Sequence, residues 1–180
     1  MNTLTAIRSR KSPETFLSTP LKRETITAIA EAGNYAPIFG HIHFTVLTDP
    51  ELLQAVNDRS IEMMKQSGNE FAEKMANTPG YSATRNAQAM ILLSAPGGHD
   101  AIGFAMANVS CAAENMCLAA TELGIGSRFM MGPVMALSQE PIRSVLCLPE
   151  GYEPLVAVAL GNVEGKCSQR KKEMNNVNWV

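Results

Sequence analysis

The sequence predicts a layered α+β fold in a single domain, residues 1–180. Segments with strand character alternate with segments of helical periodicity, so both kinds of element are expected. A long helical stretch after Asp49 interrupts this alternation, which disfavours a regular series of βαβ units. A chain of this length is expected to bury about two-thirds of its extended-chain surface, enough for one substantial core.

The first predicted elements are a helix, a strand and further helical sequence. Apolar residues recur at three- and four-residue spacing from Lys22 to Asn34, and Pro37 follows as a stop signal. Residues 43–48 are rich in β-branched and aromatic side chains, which favours a strand. Residues 49–51 then offer an N-cap aspartate, a first-turn proline and a first-turn acid. A helix is expected to begin there, and the Met-rich stretch 61–75 is expected to form another.

Two strands and a loop are predicted in the second half of the chain. Residues 77–86 are rich in Thr, Pro, Gly and Ser, which predicts a mobile loop outside the core. Residues 89–94 and 154–160 are nearly continuous apolar runs, a pattern typical of strands buried on both faces. The sheet is therefore expected to be central.

A long buried helix is predicted between the last two strands, over residues 108–123. Small and apolar residues surround most of its circumference, so it should be covered on most sides. Gly124 and Gly126 are expected to end it, because glycine tolerates left-handed turns. The predicted inward stripe consists of Val109, Ala112, Ala113, Met116, Ala120 and Leu123.

Composition argues against several classes of function. There are 15 Lys and Arg residues against 17 Asp and Glu residues, so the broad basic surface of a nucleic-acid binder is not expected. The apolar runs are far shorter than the roughly 20 residues that span a bilayer, and no apolar secretory signal region opens the chain. We therefore expect a cytoplasmic protein with no membrane partner.

Common catalytic and metal signatures are also missing from the sequence. Neither GxGxxG nor GxxxxGK[ST] occurs, and no serine lies in a GxSxG elbow. The four cysteines form no CxxC pair and are interpreted as buried or incidental thiols in a reducing cytoplasm. His41 and His43 would share one face of an extended segment, but no third ligand is nearby and no metal is expected.

Two basic clusters, residues 8–12 and 170–172, lie near opposite ends of the chain. Each alone is typical of a solvated surface. If the fold brings them together, their Arg and Lys side chains could bind one anion, such as a phosphate, through charge-assisted hydrogen bonds.

Several sequence blocks occur in the order found in the nitroreductase family, which the chain resembles over nearly its whole length. The resemblance implies a three-layer fold with a central, mostly antiparallel sheet flanked by helices. It also implies a homodimer that binds FMN at the subunit interface and accepts hydride from NAD(P)H. The blocks are residues 7–12, 31–37, 48–49, 112–127, 148–152 and 159–161, and the Ala-rich helix that ends in Gly-Ile-Gly-Ser is the most specific of them.

The resemblance implies that the two basic clusters hold the flavin's phosphate end. Arg10, Lys11 and Ser12 stand where the family contacts the phosphate, the ribityl chain and the pyrimidine edge. Arg170 and Lys172 match the two C-terminal basic residues of the phosphate site. Arg10 is also our hypothesis for the cation that stabilises the reduced, anionic flavin.

The resemblance also implies contacts with the flavin ring. Pro37 and Ile38 match a segment that packs on the flavin from the partner subunit. Met131 and Gly132 match positions whose backbone faces the N5 and O4 edge. The expected reaction passes hydride from NAD(P)H through flavin N5 to an electron-poor acceptor, such as a nitroaromatic or a quinone, in a ping-pong mechanism.

Two departures from the family pattern keep other functions open. The segment 36–44 is about three residues shorter than usual, and Glu14 stands where a basic residue is common. A carboxylate at that point is expected to oppose an anionic reduced flavin. An FMN-binding storage or sensor protein with little turnover is therefore an alternative, and a protein with no flavin, whose clusters are only surface, is a third possibility. The acceptor and the choice between NADH and NADPH stay open.

Overall fold

The structure is a computed structural model that describes residues 2–98, 102–165 and 172–180. Seven helices and four strands lie within these ranges. Their order is α1 (Thr3–Ser9), α2 (Arg23–Asn34), β1 (His43–Leu47), α3 (Pro50–Lys65), α4 (Glu70–Ala76), β2 (Ala89–Pro96), α5 (Ile102–Glu122), β3 (Gly126–Met130), α6 (Gly132–Leu137), α7 (Ile142–Val145) and β4 (Tyr152–Gly161).

The four strands form one antiparallel sheet in the order β1-β2-β4-β3. The C-terminal strand β4 is central and pairs with both β2 and β3, placing Ile91 opposite Val158. The predicted antiparallel sheet flanked by helices is therefore confirmed.

The sheet is buried on both faces because the side chains of β2 alternate between two apolar clusters. Ile91 and Leu93 pack with residues of α2 and α5, whereas Met90 and Leu92 pack with residues of α3, α6 and α7. All four side chains are fully buried. Helices thus cover the sheet on each side, giving three layers.

The long helix α5 is the centre of one apolar cluster. Five members of its predicted stripe, from Val109 to Ala120, are 0 % exposed. The prediction for Leu123 was wrong: it is 49 % exposed. The helix ends at Glu122, and the left-handed turn at Gly124, with φ of 73°, directs Leu123 away from the core.

The boundaries of the early elements follow the predicted caps. Helix α3 starts where expected, and the Asp49 side chain accepts a hydrogen bond from the Glu51 backbone N–H at 2.9 Å. The predicted continuous helix over 61–75 was wrong, because α3 ends at Lys65 and α4 starts at Glu70. Gly68, with φ of 69°, lies in the break between them.

The segment 77–86 contains no regular helix or strand, as predicted, but part of it belongs to the interior. Ala83 and Thr84 are only 5 % and 4 % exposed. The Asn57 side-chain oxygen accepts hydrogen bonds from the Ser82 hydroxyl at 2.9 Å and from the Thr84 backbone N–H at 3.3 Å. The expectation of a loop outside the core was therefore wrong, because a buried amide on α3 satisfies its polar groups.

The segment that follows α1 is tied to the end of β4. The Phe16 backbone N–H donates to the Arg85 carbonyl oxygen at 2.9 Å, and Leu17 forms a β-bridge with Asn162. A Cβ atom on Gly161 would lie 2.6 Å from Phe16 Cβ, so only glycine permits this approach. This contact fixes where residues 10–16 run across the molecule.

Candidate functional site

Arg10 and Lys172, one from each predicted basic cluster, line the same cavity of about 350 Å³. We call it the basic cavity, and its other lining residues are Ile7, Arg8 and Glu114. Arg170 lies outside the described residues. Within the described residues, the two basic clusters therefore meet, because Arg10 of the first cluster and Lys172 of the second line one cavity.

Arg10 is held in the basic cavity by the end of α1 and by helix α5. Its backbone N–H donates to the Ala6 carbonyl oxygen at 2.8 Å, and its guanidinium forms a 3.2 Å ion pair with Glu114. The side chain is 18 % exposed, and its Nε atom is buried with no hydrogen-bond partner among the described residues. The exposed part of this guanidinium is suited to an anionic ligand, because it can donate charge-assisted hydrogen bonds.

Cys117 lies behind Arg10 and is fully buried. Burial raises the pKa of its thiol above the ordinary value, although hydrogen bonds from Ser127 and Arg10 and the charge of Arg10 oppose the shift. The side chain is therefore a neutral thiol at neutral pH, and it has the properties of a core residue rather than of a nucleophile.

Met131 and Gly132 line a second cavity of about 350 Å³ where β3 passes into α6. We call it the methionine cavity. Its walls come from α3, the 77–86 segment and the β3–α6 junction, and they are mostly apolar with two arginines. The remaining lining residues are Ser60, Met64, Tyr81, Ala83, Arg85, Arg128, Phe129, Met130 and Pro133.

Arg128 connects the methionine cavity with the segment that carries Arg10. Its guanidinium donates to the Pro13 carbonyl oxygen at 2.9 Å and to the Ser12 carbonyl oxygen at 3.5 Å. It also forms a 3.4 Å ion pair with Glu14. Residues 10–14 therefore run from the basic cavity to the edge of the methionine cavity.

Arg85 is the second cation of the methionine cavity. It forms a 3.6 Å ion pair with Glu14, and its guanidinium lies 5.0 Å from the centroid of the Tyr81 ring. Its Nε atom is buried and unpartnered within the described ranges. Its backbone has a φ of 60°, a left-handed conformation that is uncommon outside glycine.

Lys11 and Ser12 are exposed and line a third, smaller cavity of about 150 Å³ next to the end of α5 and the start of β3. The structure therefore separates them from the basic cavity, although they directly follow Arg10 in the chain.

Pro37 and Ile38 lie between α2 and β1, where Ile38 packs against the apolar cluster of α2 and α5. The methionine cavity includes residues of α3, which covers the opposite face of the sheet. Within one chain the two predicted ring-contact segments are thus on different sides of the sheet.

Other structural observations concern metals and membranes. Within residues 2–98, 102–165 and 172–180, no three His, Cys, Asp or Glu side chains are grouped as a metal site. In the same ranges, no helix combines the length and the apolar character needed to cross a bilayer.

Comparisons with known proteins identify the class. The nitroreductase family model matches residues 7–162, and the chain belongs to the nitroreductase family. A comparison with curated protein sequences gives no significant match.

Solved structures resemble the chain over its full length. A nitroreductase with bound FMN from Bacteroides fragilis NCTC 9343 is 26 % identical, with a TM-score of 0.84 and coverage of 100 % of this chain and 98 % of that one. A nitroreductase with bound FMN from Desulfitobacterium hafniense DCB-2 is 24 % identical, with a TM-score of 0.87 and coverage of 100 % and 99 %. A BluB-like flavoprotein from Clostridium difficile 630 is 19 % identical, with a TM-score of 0.79 and coverage of 100 % and 99 %. Family membership supports an oxidoreductase.

Proposed function

We propose that the protein is an FMN-dependent oxidoreductase of the cytoplasm, which transfers hydride from NAD(P)H through flavin N5 to an electron-poor acceptor in a ping-pong mechanism. The observation that carries this proposal is the meeting of Arg10 and Lys172 in the basic cavity. FMN is bound in the two nitroreductase structures described above. A nitroaromatic or a quinone is the proposed class of acceptor, with no nucleic-acid or membrane partner.

The basic cavity has the charge needed for the FMN phosphate. Arg8, Arg10 and Lys172 contribute three positive charges, and Glu114 offsets one of them. A phosphate monoester carries close to two negative charges at neutral pH, so the remaining charge matches it. The Arg10 side chain lines this cavity and is 18 % exposed, so part of its guanidinium can reach a ligand there. By family resemblance, Arg170 would add a contact to the phosphate, and Lys11 and Ser12, which line the third cavity instead of the basic cavity, would contact the ribityl chain and the pyrimidine edge.

The methionine cavity suits the flavin ring. Its apolar walls can cover a planar ring, and the backbone of Met131 and Gly132 would face the N5 and O4 edge. Hydride transfer is the chemistry that the flavin supplies, while the protein orients the ring and excludes water. The partner subunit's Pro37 and Ile38 would close the ring's other side.

A homodimer would also cover apolar side chains that are exposed in one chain. Phe39 is 80 % exposed and Phe104 67 %, and their ring centroids lie 6.1 Å apart. Trp179, in the C-terminal tail, is 89 % exposed. We expect residues 176–180 to dock on the partner subunit. Deletion of the tail should shift sedimentation velocity towards the monomer, whereas an intact dimer would contradict this role.

The test of function begins with the visible spectrum of the protein as purified, followed by titration with FMN. Stopped-flow mixing with NADH and, separately, NADPH should then remove the oxidised-flavin absorbance, and a quinone should restore it. A yellow protein that neither nucleotide reduces would favour the storage or sensor alternative. A colourless protein whose spectrum does not change with FMN would contradict flavin binding and leave the basic clusters as surface.

A further inference from the structure

Three charged side chains meet at the wall of the methionine cavity, apart from the basic cavity. Glu14 pairs through one carboxylate oxygen with Arg85 at 3.6 Å and through the other with Arg128 at 3.4 Å. Two guanidinium groups and one carboxylate leave one net positive charge at this point.

The positive charges are less accessible to water than the negative charge. The side chains of Arg85 and Arg128 are 16 % and 22 % exposed, whereas that of Glu14 is 81 % exposed. Water screens an exposed charge more strongly than a partly buried one. The field inside the cavity is therefore dominated by the two arginines.

Both arginines have anchors besides Glu14. Arg128 donates to the Pro13 carbonyl oxygen at 2.9 Å. Arg85 lies over the Tyr81 ring, and its own carbonyl oxygen accepts a hydrogen bond from the Phe16 backbone N–H. Loss of the Glu14 charge should therefore leave both cations in the cavity wall.

We propose that Arg85 and Arg128 together stabilise the negative charge of the reduced flavin ring, with Glu14 limiting their combined charge to one. This inference rests on the proposed function. Hydride brings two electrons and one proton to N5, so the ring gains one negative charge, which is delocalised over N1 and O2. The role we had expected for Arg10 passes to these two residues, because Arg10 is paired with Glu114 in the other cavity.

The proposal also changes the expected effect of Glu14. A lone carboxylate near the ring would oppose reduction, but Glu14 lies between two cations and the cluster as a whole is positive. The basic residue that is common at position 14 in the family is thus replaced by two arginines from other segments of the chain.

The test uses dissociation constants for oxidised FMN and for dithionite-reduced FMN, both measured anaerobically. Their ratio reports how much the protein favours the reduced form, independently of turnover. Arg85→Gln and Arg128→Gln should each shift the ratio against reduced FMN by about three- to tenfold, a size typical of losing one nearby, partly screened charge. Glu14→Gln should shift it by a similar factor in favour of reduced FMN.

Charge-conserving variants and a distant arginine serve as controls. Arg85→Lys and Arg128→Lys should have ratios of the two dissociation constants closer to the wild-type ratio than those of the Arg→Gln variants. Arg143 pairs with Glu153 at 2.9 Å and lines neither cavity, so Arg143→Gln should leave the ratio unchanged.

Unchanged ratios in both Arg→Gln variants would overturn the proposal, and so would a Glu14→Gln shift in the same direction as theirs. The proposed function would still stand in that case if the wild type binds FMN and either NADH or NADPH reduces the bound flavin. Absence of FMN binding by the wild type would overturn both the proposed role of the two arginines and the proposed function. If Arg128→Gln fails to fold, because two backbone carbonyls lose their donor, Arg85→Gln and Glu14→Gln still decide between the outcomes.

Discussion

The basic cavity and the methionine cavity both contain arginines paired with a glutamate, but in different proportions and surroundings. In the basic cavity, Glu114 pairs with Arg10, while Arg8 and Lys172 add further charge. In the methionine cavity a single carboxylate is shared by two arginines within mostly apolar walls. The first arrangement suits a compact, highly charged group, and the second suits a planar ring that gains one delocalised charge.

The strongest test that the two cavities bind different parts of FMN is the substitution Arg10→Ala. If Arg10 acts on the phosphate, the variant should bind FMN roughly ten- to a hundredfold more weakly, the usual range for losing a charged hydrogen bond. Riboflavin, which lacks the phosphate, should lose far less affinity. Titration of the wild type, Arg10→Ala and the control Arg143→Ala with both ligands would measure the difference. An equal loss for riboflavin would mean that Arg10 acts on the ring, and the two cavities would no longer differ in role.

Lys172→Ala and Arg170→Ala extend the same test to the C-terminal cluster. Each substitution is expected to weaken FMN binding, as Arg10→Ala does, because each removes one positive charge from the proposed phosphate site. If Arg10→Ala and Arg170→Ala both leave FMN affinity unchanged in these titrations, the convergence of the two clusters has no role in binding.

Gly161→Ala tests whether the segment between the cavities depends on its contact with β4. The new Cβ would overlap the Phe16 side chain, so we expect a loss of about 1–3 kcal/mol in the free energy of unfolding, as in other overpacked cores. FMN affinity should fall as well, since residues 10–14 serve both cavities. Chemical denaturation and FMN titration would measure the two effects.

Gly103→Ala is the matched control for Gly161→Ala. Nothing lies within 4 Å of its expected Cβ, and it lies in helix α5, where alanine is favoured over glycine. Its stability should be equal to or slightly above that of the wild type. A Gly161→Ala protein as stable as this control would show that the Phe16 contact can be rearranged at little cost.

The smallest predicted effect concerns Cys117, which lies behind the basic cavity only. Because its native pKa is raised, the folded protein keeps the thiol proton at a pH where the unfolded chain has released it. The unfolded state then binds fewer protons, so this contribution to stability is lost as pH rises above the ordinary thiol pKa towards the raised one. Between about pH 8 and about pH 10 the free energy of unfolding should therefore fall as the pH rises.

Urea denaturation at several pH values would measure this contribution. Cys117→Ala should lose less stability over the same pH interval than the wild type, even if its stability is lower at pH 7. Cys111→Ala is the control, since Cys111 is an exposed thiol on the same helix. Equal slopes for all three proteins would contradict the buried-thiol assignment.

The interior elements could be predicted from the sequence because their patterns are strong. The apolar runs of β2 and β4 and the small-residue helix α5 are apolar on nearly all sides, so burial in the interior is the environment that suits them. The sequence does not predict strand β3, because Gly-Ser-Arg-Phe-Met has no alternating pattern and Gly126 follows the long helix as a stop signal would. Close contacts at Gly126, with Val163 and Phe16, explain the glycine instead.

The candidate site was less predictable than the fold. Spacing alone could not show that Arg10 and Lys172 meet, and the expectation depended on resemblance to a family. Arg85 and Arg128 were not identified, because one lies in an irregular segment and the other in the missed strand β3. Glu14, which departs from the family pattern, is the sequence feature that points to these two arginines. An acid at a position that is usually basic suggests that compensating cations lie nearby.

The bridge between Leu17 and Asn162 sets an order of events during biosynthesis. Leu17 gains this backbone partner only once β4 has been made, and β4 is also the strand that joins β2 to β3. Contacts between such distant parts of a chain form late, because closing a long loop is entropically costly. The segment that follows α1 is therefore fixed against the end of the sheet only after β4 has been synthesised.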